Sequence, residues 1–553
     1  METLRKYGLF VLALTLVFAL AACTTTEGGT TPEPDDDQGS GDEVDASGEK
    51  VLVLNNVTEP TSLDPPQGFD SYSYHVLNNL MEGLTRLGPD HDPQEATAES
   101  WDVSEDGRTY TFHIREDAKW SNGEPVTAHD FEYAWKRLAD PETASPAGFL
   151  TYLIEGAEAY NTGEGSADDM QVTALDDQQL EVTLTSPQSY FLSVISNPAF
   201  FPVHKDTVKA DENWANSADT FVSNGPFHIS DWDHNNELRM VRSDHYWDAD
   251  TVKLEEVVWQ MVDDPNTAYQ LYQTGDLHVV GDTLGIPADM SEQLFEAGEV
   301  DTFDRSGVYF YRFNLEMEPF HNENIRKAFA LAVDSEAIVE HVTKQGEKPA
   351  KGFVAYGFND PAGGDFRDNG GDLIKYDPEQ AKALLEQGME EEGYDTLPEI
   401  TLAYNTSDSH RRIAEVLKEM YSEHLGVDVT LTNQEWNVFL EAQRNLELQF
   451  SRSSFLADFA DPINYLESFI TGSSMNRTGW SNAEYDDLIA QAKQEADDVR
   501  RYDLMHQAEE LLFDEMPLFP IYFYNQAVLQ ADGVSGIVSH PVGYMELKWA
   551  DVQ

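Results

Sequence analysis

The sequence predicts a mixed α/β fold, on three observations. Apolar runs with strand periodicity alternate with stretches of helical spacing from residue 51 almost to the C-terminus, the order that builds layered sheets and helices. The chain has 553 residues, 41% hydrophobic and 11% aromatic, which is enough for two to four domains with large cores. No segment repeats at a fixed period, so solenoids and propellers are not expected.

The first 22 residues read as an address and not as part of the fold. Arg5 and Lys6 precede a short apolar run, Tyr7 to Leu20, and Leu20-Ala21-Ala22-Cys23 follows. This resembles a bacterial lipoprotein signal, in which cleavage before the cysteine leaves a lipid on Cys23. A plain secretory signal or an anchor helix is the alternative, although the run is short for a membrane span. The reading places a lipoprotein on the outer side of the cytoplasmic membrane, at the cell surface or in a periplasm. Cys23 is the only cysteine, which excludes an intramolecular disulfide and a cysteine-based zinc site. Residues 23–50 are rich in Gly, Ser, Thr, Pro, Asp and Glu and contain no aromatic residue, so they read as an acidic flexible tether.

Val51-Leu52-Val53-Leu54 opens the folded part as a buried strand. Glu59 to Pro65 is an extended loop, because Pro60 and Pro65 disfavour helix before them. Val76, Leu80 and Leu84 predict a helix over 75–87. Tyr110, Phe112 and Ile114 alternate in a one-sided strand. Thr127 and Asp130 have capping-box spacing and open a helix with Phe131, Ala134, Trp135 and Leu138 on one face; Asp140-Pro141 ends it. Residues 172–184 predict a hairpin turning at Asp176-Asp177, and Phe200–Val203, Phe227–Ile229 and Val257–Trp259 read as further strands. Val308–Phe313 is an aromatic strand that fits either core or cleft lining and is assigned to the core. Ile325, Ala328, Phe329, Ala332 and Val333 then line one helical face. A strand at Thr401–Asn405 leads into a helix capped within Thr406–Ser409, with Ile413, Val416, Leu417 and Met420 on one face. His410 sits in its first turn, where free N–H groups suit a carboxylate. Residues 427–431 form the next strand, Asn433–Trp436 lead into a short helix, and Ile521–Tyr524 is a late buried strand.

The stretch with the most specific chemistry is Arg452-Ser453-Ser454-Phe455-Leu456-Ala457-Asp458. Leu448 and Phe450 alternate into it with strand periodicity, and Asp461-Pro462 turns the chain away. Two small residues admit a second backbone alongside. A cation at one end and an anion at the other suit the carboxylate and the ammonium of a short extended peptide. An ordinary strand with charges in water fits the same residues.

Charge sets the excluded classes. The 102 Asp and Glu against 34 Lys and Arg give a formal charge of −68. Such a surface repels nucleic acid and anionic lipid, and its self-repulsion calls for screening, hence a high-salt habitat. No H-E-x-x-H, P-loop or G-x-S-x-G motif is present. The 15 histidines are scattered, and carboxylate pairs are expected by chance at this composition, so neither metal nor cofactor is called for. A secreted hydrolase using two carboxylates remains the rival from the enzyme class.

Residues 118–131 (Ala-Lys-Trp-Ser-Asn-Gly-Glu-Pro-Val-Thr-Ala-His-Asp-Phe) resemble the signature of the bacterial extracellular oligopeptide-binding proteins of ABC transporters, solute-binding protein family 5. Similar stretches follow in family order at 139–146, 172–177, 223–227, 404–408 and 433–436. The resemblance implies a periplasmic-binding-protein-like α/β fold, two large lobes with a hinge plus a smaller one. Lobe I would comprise 51–71, 201–305 and 526–553, lobe II 72–200 and lobe III 306–525. It implies a monomer that captures oligopeptides between lobes and delivers them to permease subunits. By resemblance, Asp458 meets the peptide ammonium, Phe455 stands beside the ligand where tryptophan is usual, and Arg452 and His410 meet carboxylates of peptides of different length. Ser453 and Ser454 belong to the same strand, Trp436 lines a side-chain pocket, and Glu59 and Thr61 flank the peptide from lobe I. Gly307 and Leu456 replace a disulfide found in some enteric relatives, and Gln443-Arg444 replaces an Arg-His pair. Sequences with this signature also take dipeptides, nickel chelates, haem or sugars, so another solute is the second alternative.

Overall fold

The computed structural model describes residues 50–553. The expected signal, Cys23 and all of the tether but Lys50 lie outside the described residues. Three larger sheets carry the architecture. In the first, Val51–Asn55 runs parallel to Glu256–Gln260, which continues antiparallel to Glu237–Arg242 and Phe227–Asp233. The second is antiparallel throughout, in the order Ala98–Val103, Thr109–Ile114, Gln179–Thr183, Val172–Ala174. In Thr109–Ile114 every second side chain is buried, as the alternation predicts. The helix Ala128–Ala139 packs against this sheet, and its capping box closes with the Thr127 N–H donating to the Asp130 carboxylate at 2.9 Å.

The third sheet has seven strands. Its backbone is a pair of long antiparallel strands, Asp301–Phe313 and Leu518–Gln530. Their register slips between Asp304 and Val308, and Gly307 lies inside that slip. One end of the pair is flanked by Val279–Val280, beside which the His278 N–H donates to the Val53 carbonyl of the first sheet. The two-residue strand Lys348–Pro349 pairs with Leu518–Gln530; on the other side of the long pair Phe450–Leu456 runs antiparallel to Gly307–Phe313, and Ile400–Asn405 and Val429–Gln434 complete the sheet in parallel. Helix Asp408–Leu425 is the crossover between the last two. Gly307 and Leu456 face each other across this ladder.

Several elements differ from expectation. The helix expected over 75–87 spans Ser71–Leu80, capped by Asp70. It stops because the Gly225 N–H takes the Leu80 carbonyl and the two backbones touch; a Cβ on Gly225 would stand 2.7 Å from Leu80. Leu84 instead leads into a strand, Thr85–Leu87. Phe200–Val203 forms no strand: Asn197 caps a tight turn at Pro198–Phe200, and the Trp135 indole donates to the Phe200 carbonyl. The aromatic and C-terminal strands are longer than their apolar runs: the residues added at 301–304 are mostly exposed and held by ladder pairing, whereas Leu518, Phe519 and Leu529 of the C-terminal strand are buried as well. No described helix is long and apolar enough to cross a membrane.

The turn at Asp461-Pro462 carries more than a stop signal. Arg501 donates both terminal nitrogens to the Asp461 carboxylate, at 2.8 and 2.6 Å, with both residues buried. Removing one partner strands a buried charge, so Arg501→Met is expected to cost about 3–5 kcal/mol. Urea denaturation measures this; an unchanged midpoint would remove the pair from the account.

Candidate functional site

The candidate site lies along Phe450–Leu456 and the turn after it. Adjacent side chains of a strand point to opposite faces. Arg452 and Ser454 therefore share one face, and Ser453 and Phe455 share the other. On the first face the Arg452 guanidinium lies 4.8 Å from the Tyr309 ring centre. It donates weakly to Asn405 Oδ1 at 3.3 Å and the Tyr524 hydroxyl at 3.4 Å, and its buried Nε has no partner. His410, in the first turn of its helix, brings Nδ1 within 3.2 Å of the Tyr309 hydroxyl. Burial, and then the Arg452 charge, push the His410 pKa down to about 4, so the imidazole is neutral at pH 7. Among the described residues Arg452 pairs with no carboxylate.

The backbone of this strand is open on one side. The Ala457 N–H donates to the Ser306 carbonyl, so by alternation the amides of Ser454 and Leu456 point away from Gly307–Phe313. On that far side the neighbouring strand pairs only as Leu402 with Phe450 and Ala403 with Ser451. From residue 452 on, no described strand continues the ladder there. Gln443 closes the end of the gap, donating to the Arg452 carbonyl at 2.8 Å and to Ser451 Oγ at 3.0 Å.

At the other end of the gap is Asp458, half-buried. Its N–H donates to Asn464, and its carbonyl accepts from Asn197 and the Tyr544 hydroxyl. Burial, with Glu467 adding and Asn464 opposing, raises its carboxyl pKa to about 6. Among the described residues Asp458 makes no ion pair. It borders a cavity of about 120 Å³ with Asp70, Arg305, and the rings of Phe69, Tyr74 and Tyr544. A carboxylate among aromatic faces suits an ammonium. A wider hollow of about 710 Å³ lies elsewhere, over Tyr133; its Lys136 and Arg137 are already paired with Glu132 and Asp64.

The structure thus brings Arg452, His410 and Ser454 together and sets Asp458 beyond the open edge. It turns Phe455 into the core, 9% exposed and 4.7 Å from Tyr465, and Ser453 toward Arg312. Trp436 is exposed at the start of helix Trp436–Arg444, two residues past Gln434, which pairs with Asn405. Glu59 is committed to the turn of the Phe227–Arg242 hairpin, binding His234 at 2.6 Å and the Asn235 N–H at 2.8 Å. Thr61 donates to Asp70, on the rim of the Asp458 cavity. Sequence reasoning assigned Tyr309 to the core, met Gln443 only as a replacement within a family pair, and passed over Tyr524 and Asn405. The odd-numbered aromatics of residues 309–313 share a face, a signal for Tyr309, but the other three have no local mark. Among the described residues no cluster of three or more metal-ligating side chains occurs.

The family described as bacterial extracellular solute-binding proteins, family 5 Middle, matches residues 92–477. The dipeptide-binding protein DppE of Bacillus subtilis (strain 168) is 58% identical over 551 residues, covering 100% of both chains. Among solved structures, Listeria monocytogenes OppA bound to peptide is 32% identical with a TM-score of 0.72, over 92% of this chain and 100% of that one. MppA, a periplasmic murein tripeptide binding protein in its unliganded open form, is 29% identical with a TM-score of 0.77, over 91% and 97%.

Proposed function

The chain belongs to the bacterial extracellular solute-binding proteins of family 5 and shares the multi-lobed mixed α/β fold of periplasmic binding proteins, and from that premise we propose that it captures short peptides by strand addition and delivers them to an ABC importer. The observation that carries this reading is the open edge of residues 452–456, lying between an unpaired cation and an unpaired anion. A peptide laid antiparallel on that edge places its ammonium at Asp458 and its carboxylate at Arg452. Main-chain hydrogen bonds then supply affinity with little regard to side chains. Arg452 and Asp458 are six positions apart, about 20 Å along an extended chain, and side-chain reach shortens the gap, so a peptide of about four to five residues spans it. DppE carries the name of a dipeptide binder; the charge spacing here favours the longer class.

The lobe assignment is part of the proposal: 51–71, 201–305 and 526–553 as lobe I, 72–200 as lobe II, 306–525 as lobe III. The long strands 301–313 and 518–530 would carry the hinge, with the register slip around Gly307 as its soft point. The closer superposition on the unliganded open form than on the peptide-bound protein supports an open, loadable state. Contacts made only on closure would then hold the ligand, and the permease would read the closed form. Lipid on Cys23 would keep the monomer near its transporter, and a saline habitat would screen its charge of −68.

Native mass spectrometry of the membrane-extracted protein tests the reading, followed by denaturation and sequencing of what it carried. The expected result is a mixed set of short peptides with free, uncleaved termini and an intact mass that includes the lipid. A metal chelate, sugar or haem in the cleft, or peptides consumed on incubation, would overturn it.

A further inference from the structure

Buried arginines elsewhere in this protein are matched. Arg86 meets Glu82 and Glu546, Arg367 meets Glu509, and Arg501 meets Asp461. Arg326 has no carboxylate but donates to four carbonyls, those of Phe320, His321, Glu515 and Met516. One group departs from this pattern. Arg312 is 3% exposed; it donates to the Met475 carbonyl at 3.0 Å and to Ser453 Oγ at 2.7 Å, and its buried Nε has no partner. Arg477, half-buried, donates to Gln443 Oε1 at 3.4 Å and to the Ser474 carbonyl at 3.3 Å. Among the described residues neither forms an ion pair. In a chain with three acidic residues for each basic one, a carboxylate partner is the easiest thing to supply. The two guanidiniums instead repel one another: burial, then Arg477 and Arg452, hold Arg312 down to about 9, and burial, then Arg444, lower Arg477.

The group adjoins the open edge. Gln443, which Arg477 touches, donates to the Arg452 carbonyl at the start of that edge. Ser453, on which Arg312 rests, projects from the face opposite Arg452. A strand added at the edge presents successive side chains to the two faces in turn. One set meets Arg452, His410 and Tyr309. The other faces the side of Ser453 and Gln443, against which Arg312 and Arg477 rest.

We propose that Arg312 and Arg477 form an anion subsite that reads an acidic side chain within the bound peptide, so that the protein selects acidic peptides against the field of its own surface. The proposal rests on the peptide reading above and deepens it. A charge-assisted hydrogen bond in such a site supports a preference of about tenfold or more for a carboxylate over its amide.

The test is calorimetric titration with tetra-alanine carrying Glu or Gln at each position in turn, in molar salt so that long-range repulsion is screened. The expected result is one position at which Glu binds at least about tenfold tighter than Gln, with the ratio falling toward one in Arg477→Gln. Arg477 is half-buried at the surface, and a thermal melt confirms that the variant is folded. Arg444→Gln, at an exposed neighbour, should keep the ratio. Equal binding of Glu and Gln at every position, or a ratio that survives Arg477→Gln, overturns the subsite while leaving the peptide reading standing. If no tetrapeptide binds at all, the peptide reading falls and takes the subsite with it.

Discussion

Asp458→Asn is expected to weaken peptide binding by about 2–5 kcal/mol, because the ligand ammonium loses a partly desolvated anionic partner. The same substitution is expected to stabilise the empty protein at neutral pH. Burial raises the Asp458 carboxyl from 3.8 to about 6, with Glu467 adding to the shift. A raised carboxyl favours the folded state when protonated: its contribution is present below about pH 4 and is lost as pH climbs through about 6. At pH 7 the ionised group therefore costs the empty protein about 1–3 kcal/mol, allowing for its partial exposure. Asparagine removes that cost and keeps the shape. Peptide affinity should also fall below pH 6 in the wild type, as the carboxyl takes a proton that the ammonium must displace. Urea denaturation at pH 7.5 and pH 4, with calorimetric titration of one peptide, reads all three effects. A variant that binds as tightly as wild type would remove Asp458 from the ammonium site.

That combination explains which parts of the site were legible in sequence. Asp458, Arg452 and His410 are charged or ionisable residues at the ends of regular elements, where local rules place them: a strand end, a strand start and a helix first turn. Their companions belong to other strands. Tyr524 reaches Arg452 from a strand 72 positions later, and Asn405 from one 47 earlier. No local pattern encodes such distances. The face of each strand residue was also hidden, since a run such as Ser453-Ser454-Phe455 has no polar-apolar alternation to set its phase. The ladder with Gly307–Phe313 sets it, and it sends Phe455 to the Tyr465 side. Glu59 read in sequence as flanking a peptide, and the hairpin turn at His234-Asn235 that it binds was not legible because it lies 175 residues away. The fold was more legible, because interleaved periodicities survive without knowledge of pairing. Its errors fell where tertiary contact ended an element early, as Gly225 does to the helix at Leu80.

Arg452→Met is the complementary experiment, and its effect is expected to depend on the ligand's C-terminus. Arg452 is 6% exposed and leans on an aromatic face, with two long hydrogen bonds and a free Nε. Methionine fills a similar volume without burying a charge, so the empty protein should be no less stable. In the wild type His410 does not share the charge, because burial, and then Arg452 itself, keep it neutral. A histidine lowered to about 4 contributes stability above its ordinary pKa near 6.5, and that contribution is lost as pH falls through about 4. At pH 7 Arg452 is therefore the full positive charge facing the carboxylate on that face. Peptides with a free C-terminus should lose about 2–5 kcal/mol, while C-terminally amidated peptides, which never met that charge, should lose little. The difference between the two losses is a double-mutant coupling energy, which cancels any general disturbance of the strand. Equal losses for acid and amide would mean that Arg452 shapes the strand without reading the carboxylate, and the peptide would then have to end elsewhere in the cleft.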